Sequence, residues 1–566
     1  MTKTRTGAEV LVDQLIVQGT EHVFCVPGES YLAVLDALHD AAIRVTVCRQ
    51  EAGAGFMADA VGRLSGRPGI CFVTRGPGST NAAHAIHVAR QDSIPLIMFV
   101  GQIDRSMRER EAFQEVDYRA AFGPLAKWAT EIDDAARIPE LVARAFSVAM
   151  NGRPGPVVIA LPEDMLTDRV AVADAPRAPV IESHPGAAEM AALQARLLAA
   201  KNPVMIVGGT RWTAAATADL AAFAERFHLP VATSFRRQML VSPEHPSFIG
   251  DLGIGANPAL IARIRAADLV LAINARLSEM PSQSYTLFDI PGDGRRLIHV
   301  FPQAEELNRV YATALPILSS PVPFAAALAQ LPVPASLPWA QSTAEGHQAY
   351  LAFTENPAPI PGDLQLGAVM QWLRNMLPAD AILANGAGNY TGWLHRYYRF
   401  RRFGTQLAPT SGSMGYGLPA AVGAKRAFPD RTVVCLAGDG CFLMNGQEFA
   451  TAVQYDLPIL VLIIDNGMYG TIRMHQEREY PGRVSATRLR NPDFAAYARA
   501  FGGHGETVRR TEEFAPAFER ARASGKPAIL HCLIDPEAIT TATTLSAIRD
   551  KALEAGKGRY TSGPQH

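Results

Sequence analysis

An aspartate and an asparagine in the last third of the chain have the spacing of a metal site. Asp439 follows the apolar run 433–437, and Asn466 follows a second apolar run, 459–464. The interval of 27 residues (466 − 439) holds one helix of about three turns and one strand, the size of a right-handed βαβ crossover. Both side chains should therefore emerge at the carboxyl edge of a parallel sheet. A carboxylate and an amide carbonyl are hard oxygen ligands that suit Mg²⁺ beside phosphate oxygens.

The glycines on either side of this aspartate indicate what the metal would hold. Gly438 and Gly440 would let backbone N–H groups approach a diphosphate, and a helix expected to begin near Asn445 would point its positive end there. The alternative is a plain turn. We expect a plain turn at the second Gly-Asp-Gly, 292–294, which follows no strand and has no asparagine at the matching distance. The full pattern therefore predicts a metal-bound diphosphate in the last third of the chain.

The elements that must position these residues alternate along the whole chain. Short β-branched apolar runs alternate with amphipathic stretches, which predicts βα units and the α/β class. Segments rich in Pro and Ala, 173–188 and 331–342, separate three such series. We therefore expect three domains, each with a mostly parallel sheet flanked by helices, and a polar tail. Their predicted bounds are 1–172, 189–332 and 360–540, with the tail at 541–566.

Composition excludes several classes of protein. The 566 residues include 53 Lys+Arg and 54 Asp+Glu, a net charge of -1, so neither nucleic acid nor an anionic membrane is an expected partner. Hydrophobic residues make up 48% of the chain, enough for folded cores. The six cysteines form no Cys-x-x-Cys pair, which argues against a disulfide framework and a zinc site. No run resembles a signal peptide or a membrane span, so a cytoplasmic protein is expected.

The segment 433–470 resembles the thiamine-diphosphate and Mg²⁺ binding motif of thiamine-dependent enzymes. That family also needs a glutamate in its N-terminal domain, and CRQEAGAGFMADAVGR places Glu51 after an apolar run, as the family pattern requires. The resemblance implies that Glu51 hydrogen-bonds the pyrimidine ring and favours the imino tautomer, whose nitrogen removes the thiazolium C2 proton. The alternative is that Glu51 only complements a helix dipole.

Further motifs make nearly the whole chain resemble the catalytic subunit of acetolactate (acetohydroxyacid) synthase. The matching segments are VFCVPGESYLAVLDAL (23–38), GPGSTNAAHA (76–85), AFQEVD (112–117), NGRPGPVVIALPED (151–164) and TSGSMGYGLPAAVGAK (410–425). The backbone of Gly412 would receive the pyrimidine amino group, and Met414 would bend the cofactor, although a lone Met is more often core filler. Asn389-Tyr390 stands where the synthases more often carry Gln-His.

The resemblance also implies a set of binding residues and an assembly. Glu51 of one subunit would face the metal site of another, so we expect a homodimer or homotetramer with active sites at the subunit interface. The need for a regulatory subunit stays open. The expected metal ligands are Asp439, Asn466 and Met468. The expected cofactor-binding residues are Gly76, Pro77, Asn81, Gly388, Asn389, Tyr390, Gly412, Met414, Gly438, Asp439, Gly440, Asn466, Met468, Tyr469 and Gly470.

Several residues depart from the synthase pattern near the expected substrate. Glu29 replaces a small residue; as an acid it could protonate the intermediate and favour release of an aldehyde, or it could cap the next helix. Phe113-Gln114 stands where the related decarboxylases carry a pair of histidines. His475 could be a proton donor or a surface histidine. The resemblance therefore makes Glu51, Glu29, Gln114 and His475 catalytic candidates and assigns Phe113, Thr471 and Ile472 to the substrate channel.

The central series departs from the flavin-carrying synthases. Arg276 is present, but Phe301-Pro302 removes the acidic partner of a ribose hydroxyl. FAD is therefore doubtful, although Gly208 and Gly209 leave the domain able to accept some nucleotide.

We therefore predict an enzyme that uses thiamine diphosphate and Mg²⁺ to cleave and form C–C bonds at small 2-oxo acids, an acetolactate-synthase-like carboligase. Two other enzyme classes stay open. One is a non-oxidative 2-oxo acid decarboxylase. The other is a 2-hydroxyacyl-CoA lyase or an enzyme like oxalyl-CoA decarboxylase, in which Arg401 and Arg402 could recognise a nucleotide. Outside enzymes, a silent cofactor-binding regulatory partner is the alternative, which the retention of Glu51 and Asp439 disfavours.

Overall fold

Three six-stranded parallel sheets, each flanked by helices, organise the chain. The structure is a computed structural model that describes residues 3–292 and 294–557. It confirms the predicted α/β class and the three mostly parallel sheets. The chain forms two compact units, one built mainly from residues up to Leu351 and the other mainly from residues from Ala352 onward. None of the described helices is long and apolar enough to cross a membrane.

The first sheet belongs to the N-terminal part of the chain. Its strands, with a short additional pair, are β1 (Arg5–Thr6), β2 (His22–Cys25), β3 (Arg44–Val47), β4 (Gly69–Val73), β5 (Leu96–Gln102), β6 (Trp128–Glu131), β7 (Pro156–Pro162) and β8 (Arg169–Val170). The helices are α1 (Gly7–Val17), α2 (Leu32–His39), α3 (Glu51–Ser65), α4 (Gly76–Asp92), α5 (Tyr118–Phe122) and α6 (Ile138–Met150). The strand order is β3-β2-β4-β5-β7-β6, and β1 pairs with β8 outside the sheet. Because helices cover both faces, β2, β4, β5 and β7 are buried along their whole length.

The second sheet has the strand order of dinucleotide-binding proteins. Its strands are β9 (Pro203–Val207), β10 (Val231–Thr233), β11 (Phe248–Asp251), β12 (Leu269–Ile273), β13 (Leu297–Phe301) and β14 (Leu315–Leu318). The helices are α7 (Ala187–Ala199), α8 (Ala214–Arg226), α9 (Pro258–Ala266), α10 (Pro321–Ala329) and α11 (Ala340–Glu355). The order β11-β10-β9-β12-β13-β14 reads 3-2-1-4-5-6 when the strands are numbered along the chain.

The third sheet repeats the strand order of the first. Its strands are β15 (Ile382–Asn385), β16 (Gln406–Leu407), β17 (Val433–Gly438), β18 (Leu460–Asp465), β19 (His504–Val508) and β20 (Ala528–Leu533). The helices are α12 (Leu366–Met376), α13 (Thr391–Tyr397), α14 (Gly417–Ala427), α15 (Asp439–Leu443), α16 (Phe449–Gln454), α17 (Gly470–Glu479), α18 (Phe494–Ala500), α19 (Thr511–Ala523) and α20 (Leu545–Glu554). The order β16-β15-β17-β18-β20-β19 and the order of the first sheet both read 2-1-3-4-6-5.

This shared order fixes where each sheet can bind a ligand. In open α/β sheets, ligands bind outside the carboxyl ends of the strands, where the strand order reverses. In the first sheet that switch point lies between the loops that follow β2 and β4. In the third sheet it lies between the loops that follow β15 and β17. The predicted diphosphate motif follows β17, so the topology places it at a ligand-binding edge.

Two local expectations need revision. The helix predicted to begin near Asn445 begins at Asp439 instead, and a 3-10 turn, Gly446–Glu448, separates it from α16. Asn445 directly precedes that turn, and its side chain donates to the carbonyl of Gly415 at 3.0 Å. The predicted tail, 541–566, contains α20, whose Arg549 lies 2.6 Å from Glu477 of α17. Residues 558–566 of that tail and Asp293 of the second Gly-Asp-Gly lie outside the described residues.

Candidate active site

Two buried aspartates lie together at the carboxyl edge of the third sheet. Because β17 and β18 pair in parallel register to their ends, Asp439 and Asp465 leave the sheet side by side. The amide nitrogen of Asn491 donates to both, at 2.7 Å to Oδ2 of Asp439 and 2.8 Å to Oδ1 of Asp465. Nε2 of His531 lies 2.8 Å from Oδ2 of Asp465. The sequence had indicated only the first of these four residues.

The electrostatics of this pair suit a cation. Burial raises the pKa of Asp439 to about 6, the neighbouring Asp465 adds to the rise, and the hydrogen bond from Asn491 opposes it. Burial also acts to raise the pKa of Asp465, but hydrogen bonds from His531, the Gly467 backbone and Asn491 outweigh it and lower that pKa. In the described part of the chain no arginine or lysine forms an ion pair with either carboxylate. A bound cation would therefore stabilise the ionised form of Asp439.

The loop after β18 supplies two more oxygen atoms. Oδ1 of Asn466 lies 3.3 Å from the backbone nitrogen of Met468. Hydrogen bonds of 2.8 Å, from Tyr469 to the carbonyl of Thr487 and from Leu489 to that of Gly467, hold this loop against its neighbour. Because these bonds flank Met468, its own carbonyl points away from the neighbouring segment.

These donors fit Mg²⁺. A carboxylate, an amide oxygen and a backbone carbonyl form a set of hard oxygen ligands, which Mg²⁺ prefers, with room left for phosphate oxygens. Across residues 3–292 and 294–557 there is no group of three or more His, Cys, Asp or Glu residues able to hold a metal ion. The predicted site is therefore one that uses a single carboxylate with neutral oxygens, and the roles of Asp439, Asn466 and Met468 stay predictions.

Glycines at this edge allow tyrosine rings to approach the turn. A Cβ on Gly438 would lie 3.1 Å from the ring of Tyr390, and one on Gly440 would lie 2.5 Å from the ring of Tyr469. The hydroxyl of Tyr390 also accepts a hydrogen bond of 3.1 Å from the backbone nitrogen of Gly386. Any larger residue at 440 would have to displace a ring, so the tyrosines give these glycines a packing role beside the predicted one.

The loop after β15 is tied to α17. The Thr471 hydroxyl donates to Oδ1 of Asn389 at 2.8 Å, and Nδ2 of Asn389 donates to the carbonyl of Ile539 at 3.0 Å and to Sδ of Met474 at 3.4 Å. Both amide hydrogens of Asn389 therefore have partners within the chain. Gly388 before it has a φ of 146°, a conformation that favours glycine.

The remaining predicted residues of this region differ in exposure. Gly412 has a φ of 68° and open space where a Cβ would stand, and Met414 is half-buried. Ile472, in the first turn of α17, is 55% exposed. A Cβ on Gly470, the first residue of α17, would lie 2.9 Å from Nδ2 of Asn466, so glycine allows the helix to lie close to the loop after β18.

His475 is exposed on α17, and its Nδ1 contacts the Arg478 guanidinium one turn later. Burial lowers the pKa of His475, Arg478 lowers it further, and Glu479 opposes them. The structure thus pairs His475 within its own helix, and its proton-donor role stays a prediction.

At the carboxyl edge of the first sheet, Glu51 meets the segment 76–85, where the resemblance predicts cofactor-binding residues. Glu51 is the first residue of α3, and its Oε2 accepts a hydrogen bond of 2.9 Å from Nδ2 of Asn81. Its Oε1 would lie 3.3 Å from a Cβ on Gly78. Gly76 and Pro77 form the first turn of α4 beside it. The structure therefore brings together the acid and the loop that the sequence predicted to act on one ring.

A charged cluster beside that segment joins the catalytic candidate Glu29 to Arg75, an arginine that the sequence had not indicated. The guanidinium of Arg75 contacts Oε1 of Glu29 and lies 3.1 Å from Oε2 of Glu163. Its Cζ is 5.9 Å from the centre of the Phe113 ring, which is 72% exposed. Gln114 has a φ of 65°, and its carbonyl accepts a hydrogen bond of 3.1 Å from Gly76. The position of Arg75 directly before Gly76 was the signal in the sequence.

The loops after β9 and β12 meet at the switch point of the second sheet. Nδ2 of Asn274, after β12, donates to the carbonyl of Thr210, after β9, at 2.6 Å. A Cβ on Gly209 would lie 2.2 Å from the carbonyl oxygen of Asn274. Nε of Arg237 donates to the carbonyl of Gly209 at 2.9 Å. The two loops that would flank a dinucleotide thus bond to each other, and the glycines permit this close contact.

Comparison with known proteins finds matches along nearly the whole chain. Models of thiamine pyrophosphate enzymes match residues 5–121 (N-terminal TPP binding domain), 190–328 (central domain) and 386–532 (C-terminal TPP binding domain). The chain is 31% identical over 536 residues to the acetolactate synthase isozyme 2 large subunit of Escherichia coli, covering 94% of this chain and 95% of that protein. It is 34% identical over 559 residues to the isozyme 1 large subunit of the same organism, covering 95% and 96%.

A relative from another organism covers the chain to a similar extent. The acetolactate synthase large subunit of Corynebacterium glutamicum is 31% identical over 554 residues, which cover 94% of this chain and 87% of that protein. The likeness thus includes all three sheets and both candidate edges.

Proposed function

The chain belongs to the thiamine pyrophosphate enzymes, and on that premise we propose that it is a carboligase acting on 2-oxo acids. It would remove CO₂ from one 2-oxo acid and join the remaining acyl part to a second carbonyl compound. The observation that carries this proposal is the likeness to acetolactate synthase large subunits over 94% of the chain. The enzyme would assemble at least as a homodimer.

Bound thiamine diphosphate supplies a carbon nucleophile that adds to a ketone and accepts the electron pair left by CO₂. This chain's part begins with Glu51, which would share a proton with the pyrimidine ring. The hydrogen bond from Asn81 fixes one carboxylate oxygen. The absence of a side chain at Gly78 leaves space beside the other oxygen. Glu51 would thereby hold the proton at a set position, which general acid–base catalysis requires.

At the third sheet, the chain would hold the diphosphate through Mg²⁺. Asp439, the side-chain oxygen of Asn466 and the carbonyl of Met468 would be the protein ligands. Asn491 bonds Oδ2 of Asp439 and so fixes the plane of that carboxylate. Such outer hydrogen bonds orient metal ligands and tune their basicity.

The test is to incubate the protein with thiamine diphosphate, Mg²⁺ and pyruvate labelled with ¹³C in its carboxyl group, with and without added carbonyl compounds. We expect labelled CO₂ and a 2-hydroxy ketone or 2-hydroxy acid of the ligated mass. Free aldehyde as the sole product would indicate a simple decarboxylase. A product formed only when an acyl-CoA is supplied would indicate the acyl-CoA lyase class. No turnover with any 2-oxo acid would contradict the proposal.

A further inference from the structure

Three charged side chains meet at the switch point of the first sheet. Glu29 lies in the loop after β2, Arg75 lies in the loop after β4, and Glu163 directly follows β7. Nη2 of Arg75 contacts Oε1 of Glu29, and Nη1 lies 3.1 Å from Oε2 of Glu163. We refer to these three residues as the charged triad.

The carboxylates of the triad are exposed to a ligand, whereas its guanidinium is buried. Arg75 is 5% exposed, whereas the side chains of Glu29 and Glu163 are 73% and 37% exposed. Both terminal nitrogens of Arg75 already face carboxylates. Arg75 therefore acts on a ligand through the two glutamates, which makes it a positioning residue rather than an anchor for a substrate carboxylate.

The triad borders the loop that the proposed function assigns to the cofactor. Arg75 directly precedes Gly76, whose backbone nitrogen donates to Gln114 at 3.1 Å. Two residues further on, a Cβ on Gly78 would lie 3.3 Å from Oε1 of Glu51. The first turn of α4 thus lies beside the proposed proton-sharing acid and directly follows the arginine of the triad.

The charges of the triad do not cancel. Two carboxylates and one guanidinium leave a net charge of about -1 near neutral pH. The neighbouring Asp164 brings no free charge, since it lies 2.6 Å from Arg105. The donor loses its carboxylate as CO₂ before the joining step, so in that step the repulsion acts on an acceptor that still carries a carboxylate and not on an uncharged carbonyl compound.

We propose that the charged triad selects the second substrate, admitting an uncharged aldehyde or ketone and disfavouring a second 2-oxo acid. The inference rests on the proposed function. In the joining step, the electron pair released when CO₂ leaves the first substrate forms the new bond to the acceptor's carbonyl carbon. The acceptor's oxygen takes up a proton, so the product is a 2-hydroxy ketone. Neither an oxidant nor a reductant is needed.

The test compares two acceptors that differ by one carboxylate. The enzyme with thiamine diphosphate and Mg²⁺ receives labelled pyruvate as donor, with propanal and 2-oxobutyrate in equal amounts as acceptors. We expect propanal to be preferred by about tenfold or more in kcat/KM. The KM for 2-oxobutyrate should fall as salt is raised, because salt screens the repulsion, while the KM for propanal stays constant. Neither the greater electrophilicity of an aldehyde nor a buried packing role for the triad would make the KM for 2-oxobutyrate depend on salt.

Substitutions within the triad then test its charge, and Glu→Gln changes the charge while keeping the shape of the side chain. Glu163→Gln should reduce the preference about fivefold through the KM for 2-oxobutyrate, and Glu163→Lys should reduce it further. Glu29→Gln tests the other carboxylate. If that variant fails to fold, Glu163→Gln still tests the proposal, because Arg75 keeps its ion pair with Glu29. Arg75→Lys, which keeps the charge, should retain the preference.

The outcomes separate the two proposals. Two results would overturn the role of the triad and leave the proposed function intact. One is release of CO₂ with 2-oxobutyrate as the preferred acceptor. The other is an acceptor preference that is the same in all glutamate variants. The absence of CO₂ release from pyruvate and from 2-oxobutyrate overturns the proposed function and this inference with it.

Discussion

The first and third sheets share one strand order but differ in how the charges at their switch points are compensated. In the first sheet, the loops after its first and third strands in chain order bring Glu29 and Arg75 into an ion pair. In the third sheet, the loop after the strand equivalent to β4 carries Asp439, whose hydrogen-bond partner is the neutral amide of Asn491. The same backbone arrangement therefore supports two different sites. A carboxylate left without a basic partner is the one that a metal can use.

The largest loss of activity is expected at Asp439, the carboxylate without a basic partner. Asp439→Asn keeps the shape of the side chain and removes its charge, so it should abolish the Mg²⁺-dependent rise in Tm that the cofactor gives and reduce turnover about a thousandfold. Differential scanning fluorimetry with and without Mg²⁺ measures the first effect. The matched control is Asp293→Asn in the second Gly-Asp-Gly, which should behave like the parent enzyme. A normal Mg²⁺-dependent Tm shift in Asp439→Asn would exclude this residue as a ligand.

The next-largest effect distinguishes the role of the first sheet from that of the third. Glu51→Gln should keep the Mg²⁺-dependent Tm shift, because the metal site is intact, while CO₂ release from the donor falls by about a hundredfold to ten-thousandfold. The loss arises because an amide cannot share the proton in the same way. Full activity in Glu51→Gln would show that Glu51 only supports the start of its helix.

A smaller effect, on metal affinity, is expected from Asn491, which hydrogen-bonds the predicted metal ligand Asp439. Asn491→Leu is close in volume but removes both hydrogen bonds to the aspartates, so the affinity for Mn²⁺ as a substitute metal should fall about tenfold to a hundredfold. Electron paramagnetic resonance of free Mn²⁺ measures this affinity without turnover. Unchanged Mn²⁺ binding would mean that Asn491 has no part in orienting Asp439.

The smallest effect on activity is expected away from both edges. Glu477 is fully buried between Arg473 and Arg549 and joins α20 to α17, so Glu477→Gln should cost about 3 kcal/mol of stability. Its pKa is about 2: burial alone would raise it, but the hydrogen bonds from Arg549, Gly482 and Arg473 lower it. Since this folded-state pKa lies below the unfolded value, the stabilisation is present above about pH 4.5 and is lost as the pH falls towards 2.

The control for that variant is Glu479→Gln on the same helix, whose ion pair with Lys557 is exposed. Its Tm should stay unchanged, because exposed ion pairs contribute little. Equal Tm values for the two variants would mean that the buried pair does not hold α20 in place.

The sequence predicted the interior of the fold better than its edges. Strands such as β18 are continuous apolar runs because helices cover both faces of the sheet. Five edge strands of the three sheets were not predicted: β6, β11, β14, β16 and β19. Each pairs with a neighbour on one side only. Four of them include exposed or half-exposed residues and the fifth, β16, has only two residues, so none offers a long apolar run.

The residues of the candidate site also differ in how well the sequence predicted them. Asp439 and Asn466 could be proposed from their spacing after two apolar runs, and Glu51 from the resemblance to thiamine-dependent enzymes. Asn491 could not, because it lies 52 residues from the carboxylate that it bonds, on a loop with no motif of its own. Asp465 and Arg75 lie directly beside predicted residues, and their adjacency was the signal that could have indicated them. Their partners come from separate strands, which only the folded sheet brings together.

The most direct test of this account is the rate at which the C2 hydrogen of bound thiamine diphosphate exchanges with deuterium, followed by quenched-flow NMR in the presence of Mg²⁺. It needs no knowledge of the substrates and addresses both sheets at once. We predict rapid exchange in the parent enzyme. In Glu51→Gln, which still binds the cofactor, exchange should fall by about a hundredfold or more. Exchange as fast in Glu51→Gln as in the parent enzyme would contradict the account.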